Sequence, residues 1–167
     1  MFALGVDPGL SRCGYGAVRS DGGRLSAVAY GHITTPPGDP LSSRLGALWD
    51  DLESLIADLR PDVIVVERVL FQVNTRTAMS VGQASGLALA AAAKAGCPVA
   101  QYSPNEVKLA VAGYGSASKQ QVQDMVQAIL RLSERPKPSD RADALALAIC
   151  HLSGAGLRSA ASAGGRR

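Results

Sequence analysis

The sequence predicts an α/β fold: a mixed five-stranded sheet, its first three strands antiparallel, with helices on both faces. Three observations carry that expectation. The element order reads strand, strand, strand, helix, strand, helix, strand and then helices, which layers helices on a mixed sheet. The stretch 62–71, DVIVVERVLF, contains a short unbroken run of β-branched residues, Val63 to Val66, of the kind buried on both faces at a sheet centre. Asp21-Gly22-Gly23-Arg24, between two strand patterns, is a hairpin signal that makes the early strands antiparallel.

Taken in order, residues 2–6 form the first strand, which ends in the Asp7-Pro8-Gly9 turn, and residues 13–20 and 25–33 form the next two. Residues 34–40 are a Pro/Gly loop. Asp39 is expected to cap the first helix with Pro40 in its first turn. Leu41, Leu45, Leu48, Leu52, Leu55 and Leu59 then recur at helical steps along one face. Pro61 ends that helix and the central strand follows. Residues 76–95 form a second helix crowded with small side chains, among them Gly82, Ala84, Ser85, Gly86 and Ala88, which lets another backbone approach, whether its own sheet or a second subunit. Gly96 closes it, and residues 98–102 form a short strand. Ser103-Pro104-Asn105-Glu106 is a capping box opening a third helix, Gly113-Tyr114-Gly115 breaks the chain, and Ser118 to Gln121 opens a fourth. A Pro-rich loop over 134–139 leads to a fifth helix from Asp140 to about Leu152. One domain over 1–153 is expected, with a low-complexity basic tail, 154–167, disordered.

At 167 residues and 47% hydrophobic content, the chain is long enough for one sizeable core, and no stretch is apolar enough to span a membrane. The start, MFALGVDPG, lacks the basic region of a signal peptide. Cys13, Cys97 and Cys150 show no metal spacing and suit a reducing, cytoplasmic compartment. The net charge of +3 comes from the three arginines of the tail. Within the body, residues 1–66 carry 5 basic and 8 acidic groups and residues 67–153 carry 9 and 6, so a polyanion would meet the second half first.

Asp7 and Glu67 each end an apolar strand, at the carboxyl edge where open α/β sheets place their sites. If the two strands are adjacent and parallel, both carboxylates reach one cation. Asp140 and Asp143, three apart on a helix, share a face opposite the apolar stripe Ala142, Leu145, Ile149 and Leu152. Singly, each acid has a plain structural reading, as an Asp that opens a helix caps its N–H groups. Together they form a hard-oxygen donor set suited to Mg²⁺ or Mn²⁺. Such a set could hold two metals about 3.5–4 Å apart for phosphodiester hydrolysis.

Four stretches, GVDPGLSRCGYG, VIVVERV, NEVKLAVAGYGSASKQQVQDMV and SDRADALALAICH, resemble the RuvC-type Holliday-junction resolvases, in order and with compatible spacing from residue 1 to about 152. The resemblance implies an RNase H-like fold. It implies that Asp7, Glu67, Asp140 and Asp143 are the catalytic, metal-binding acids of a Mg²⁺-dependent endonuclease, with two ions per subunit and Mn²⁺ as a substitute. It also implies a homodimer that cuts a four-way junction symmetrically, in cooperation with a branch-migration helicase complex of the RuvA/RuvB type.

Members often carry an aromatic residue three places after the catalytic Glu, where it can stack on a base near the crossover. Here that place is Leu70, and Phe71 follows; either could serve as stacking residue or apolar wedge. Lys108 and Lys119 fall in the matching motifs and are expected to hold phosphates that the acids would repel, Lys119 more so because it sits at a helix start. Arg76, heading the second helix, is a further expected phosphate contact. His32 and His151 have no partner pattern and read as structural. The acids alone leave open a general RNase H-like nuclease acting on RNA–DNA hybrids or other branched DNA. An actin- or sugar-kinase-like ATPase would need a second nucleotide-binding half, and a non-catalytic junction binder would not need four acids.

Overall fold

A computed structural model describes the backbone of residues 1–69 and 75–164, and the side chains of residues 1–69 and 78–154. Leu70 and Phe71 therefore lie outside the described residues, as does the Arg76 side chain. Five strands, β1 (Phe2–Asp7), β2 (Arg12–Asp21), β3 (Arg24–Thr34), β4 (Val63–Glu67) and β5 (Val99–Tyr102), form one sheet in the order β3-β2-β1-β4-β5. β1, β2 and β3 are antiparallel, and β4 runs parallel to both β1 and β5. The β2–β3 turn has Gly22 and Gly23 at φ 54° and 85°, the left-handed pair that a tight hairpin of this twist requires. Val63 to Val66 are buried, as expected of a strand flanked on both sides.

The period-2 alternation of the strands divides the core in two. Leu4, Val6, Ile64 and Val66 face α1 (Leu41–Leu59) and α2 (Thr75–Lys94). Ala3, Val63 and Val65 face the other way, toward α3 (Pro104–Ala112), α4 (Lys119–Leu130) and α5 (Ser139–Gly164). Continuing that alternation, Asp7 and Glu67 are directed to the same face as α5.

Helix α5 lies very close to the sheet because glycine leaves it room. A Cβ at Gly5 would stand 1.9 Å from the Ala144 carbonyl oxygen, and one at Gly14 would stand 2.2 Å from that of Asp140. The facing residues of α5, including Ala142, Ala144 and Ala148, are small and fully buried. This seat brings the first turn of α5 to the ends of β1 and β2.

Some expectations need correction. Asp39 does not cap α1. Pro40 occupies the N-cap position with extended backbone and no side chain caps the helix, Asp39 lying one residue too early. Leu41 is exposed, while Ile56, absent from the predicted leucine face, is buried beside Leu48 and Leu52. The capping boxes at Ser103 and Ser118 form as expected. Helix α5 runs to Gly164, past its predicted end near Leu152.

Candidate active site

Asp7 is the last residue of β1, and Glu67 the last of β4. The β1–β4 register pairs Val6 with Val66, so the two acids follow side by side on parallel neighbours. Above them stand Asp140, in the first turn of α5, and Asp143 one turn on. Asp7, Glu67 and Asp143 line a cleft of about 340 Å³ with Lys108 of α3 and Lys119 of α4. A larger hollow of about 790 Å³ lies at the opposite end of the parallel strands, beside Pro61 and Pro98, away from the acids.

The electrostatics are those of crowded like charges. Asp7 is pushed up to about 7, first by burial and then by the charges of Glu67, Asp143 and Asp140, with Lys119 pulling the other way. Glu67 is raised by burial and by Asp143. Asp143 is raised chiefly by burial, against a hydrogen bond from Lys119 Nζ at 2.7 Å. Burial works against the charge on Lys119, but the Asp143 bond and the charges of Asp143, Asp7 and Asp140 outweigh it and raise its pKa. Asp140 is paired outward with Arg12, Nη1 to Oδ2 at 3.1 Å.

Of the sequence-predicted residues, Asp7, Glu67, Asp143, Lys108 and Lys119 thus share one cleft, and Asp140 flanks it. Arg12 was not anticipated. Its only sequence signal is its place at the head of the strand that follows the Asp7 turn. The histidines have partners: His32 Nδ1 accepts from Arg141 Nε at 3.1 Å, and His151 Nδ1 lies 3.0 Å from the Tyr102 hydroxyl. The three cysteines are free thiols, each raised chiefly by burial.

The fold is of the RNase H-like class, with strand-end acids of the sheet meeting acids of a helix that lies across it. Residues 3–151 match the family model of the crossover junction endodeoxyribonuclease RuvC. The chain belongs to that family. The crossover junction endodeoxyribonuclease RuvC of Heliobacterium modesticaldum is 53% identical over 150 residues, 90% of this chain and 93% of the relative. The structure of Thermus thermophilus RuvC is similar with a TM-score of 0.87 at 37% identity, covering 94% of this chain and 96% of the other. The T. thermophilus RuvC structure in complex with Holliday junction substrate gives a TM-score of 0.89 at the same identity and coverage.

Proposed function

We propose that this protein is an endonuclease that resolves four-way DNA junctions by metal-dependent phosphodiester hydrolysis during recombination and repair. The observation that carries the reading is the convergence of Asp7 and Glu67, on adjacent parallel strands, with Asp140 and Asp143 of α5, in a family whose T. thermophilus member is described with Holliday junction substrate.

The donor chemistry fits a hard divalent cation. Asp7, Glu67 and Asp143 line one cleft, and all three are raised first by burial and then by the charge of a neighbouring acid, a condition that added positive charge relieves. Among the described residues, no three Asp, Glu, His or Cys side chains already stand grouped as a cage for a metal ion. Asp140 and Asp143 are instead turned to Arg12 and Lys119. Each pair uses Oδ2 of its acid, so a cation that took both oxygens of either carboxylate would draw it from its partner. Asp7, Glu67, Asp140 and Asp143 would hold Mg²⁺, two ions per subunit, with Mn²⁺ as a substitute. A bound pair supplies Lewis acidity, which activates water and offsets charge on the leaving oxygen.

The chain's own residues do the rest. Lys119 and Lys108 line the cleft and put positive charge where acids alone would repel a phosphodiester. Lys119, freed from Asp143, sits at the first position of α4, whose N–H groups also attract an anion. Arg76, Leu70 and Phe71 complete the proposed DNA contacts around the crossover.

The protein is proposed to act in the cytoplasm as a homodimer that cuts like-polarity strands, with a branch-migration helicase complex of the RuvA/RuvB type as partner. Helix α2 supports the dimer. Its inner residues Ala84, Ala88, Ala91 and Ala92 are buried in the protein's own core, while Met79, Gly82, Gly86, Ala90 and Ala93 form a continuous exposed stripe. No helix among the described residues is long and apolar enough to cross a membrane.

The test is incubation with a synthetic four-way junction, a linear duplex and an RNA–DNA hybrid, with and without Mg²⁺. The reading predicts cleavage of the junction alone, and only with Mg²⁺. Preferential cleavage of the hybrid would favour a general RNase H-like nuclease instead.

A further inference from the structure

Arg12 heads β2, where its backbone pairs with Thr34 of β3, and its guanidinium meets the Asp140 carboxylate at 3.1 Å. The loop before it is clamped. The buried Thr35 hydroxyl donates to the Leu10 carbonyl at 2.6 Å. Arg44 of α1 donates through Nε to the Thr35 hydroxyl at 2.9 Å and through Nη2 to the Ser11 hydroxyl at 2.8 Å. On the other side, the close seat of α5 on Gly14 fixes where Asp140 stands. The neighbouring Arg141 is turned to His32, so it is Arg12 that meets the Asp140 carboxylate. The backbones on both sides of the pair are thus held, while the Arg12 side chain is half exposed and has room to swing away.

We propose that Arg12 is a positioning residue of the acid site: it holds Asp140 while no external cation is there, yields it to an incoming divalent cation, and so sets how tightly that cation binds. This rests on the four-acid reading given above. The guanidinium and a divalent cation compete for the same carboxylate, and their like charges repel at short range. A half-exposed ion pair is weak enough to be given up. Once released, the guanidinium stays tethered at the edge of the site, where a phosphate of the cut strand would meet it.

The experiment measures Mn²⁺ binding to the full chain without DNA, by electron paramagnetic resonance of the free ion, for wild type, Arg12→Gln, Arg12→Lys and Asp7→Asn. Melting curves confirm that each variant is folded. Arg12→Gln should bind Mn²⁺ on the order of tenfold tighter than wild type, because one competing charge is gone. Arg12→Lys, which restores the charge, should return toward wild-type affinity, an effect that lost packing would not produce. If Asp7→Asn weakens binding but Arg12→Gln binds Mn²⁺ equally or more weakly than wild type, the role of Arg12 fails and the acid site stands. If Asp7→Asn leaves binding untouched, the acid site fails and the role of Arg12 with it.

Discussion

Asp7 illustrates what burying one acid among others costs the fold. Its proton is held more tightly in the folded chain than in the unfolded one, since burial and three neighbouring acids push it up to about 7. The sign follows from linkage. Its stabilising contribution is fully present below the unfolded value of 3.8 and is lost as pH rises through about 7. Glu67 and Asp143, raised in the same direction, add to the effect. In chelator, the protein should therefore melt at a lower temperature at pH 8 than at pH 5. Asp7→Asn should remove much of that difference and stabilise the fold by about 2–4 kcal/mol at pH 8. Calorimetry at the two pH values checks both statements. Added Mg²⁺ should raise the melting temperature of wild type at pH 8 and raise that of Asp7→Asn much less. At this scale the acids were legible, because a carboxylate after an apolar strand is a local pattern. Arg12 was not, because its partner lies 128 residues away and an arginine at a strand head reads as ordinary surface charge.

At the scale of elements, α5 carries half of the acids, and its seat on β1 and β2 is made by glycine. Gly14→Ala would drive a Cβ into the Asp140 backbone, 2.2 Å from its carbonyl oxygen. Helix α5 should shift outward at its first turn, with a loss of about 1–3 kcal/mol from overpacking. Cleavage should fall further than stability, because Asp140 moves with the helix. Melting and junction cleavage of the same preparation measure the two separately. The segment after β4 carries its own prediction. If Phe71 stacks on an unpaired base, Phe71→Ala should lose about 1–3 kcal/mol of junction binding with little change in melting. A loss of about 3–5 kcal/mol in folding stability with normal cleavage would make Phe71 a core residue. The order of elements was readable because each has its own period and punctuation, and both Ser capping boxes formed as written. The start of α1 was not readable, because Asp39-Pro40 fits a cap with Pro inside the helix as well as the Pro40 cap that forms. The close approach of α5 needs three-dimensional contact to be seen, although the alternating Gly14 and Gly16 of β2 are a trace of it.

For the whole molecule, the parallel pairing of β1 with β4 turns two separate strand ends into one site, and the sequence could offer that pairing only as a condition. The proposed dimer depends on a surface that the single chain leaves open. A Cβ at Gly86 would have nothing within 4 Å, so Gly86→Arg should fold as well as wild type. It should nevertheless sediment as a monomer if the exposed stripe of α2 is the contact, and it should then fail to cut the two strands of a junction together. A Gly86→Arg protein that remains dimeric would move the interface elsewhere. In the proposed mechanism the four converging acids perform the cleavage while other residues bind the junction. The most direct measurement is Mg²⁺-dependent cleavage of a synthetic four-way junction by wild type, Asp7→Asn, Glu67→Gln, Asp140→Asn and Asp143→Asn, with junction binding measured in parallel. Each variant should bind the junction nearly as wild type does and lose cleavage by several kcal/mol of transition-state stabilisation. A variant that cuts at near the wild-type rate would remove its residue from the site, and near-normal cutting by Asp7→Asn or Glu67→Gln would mean that the strand-end acids do not perform the cleavage.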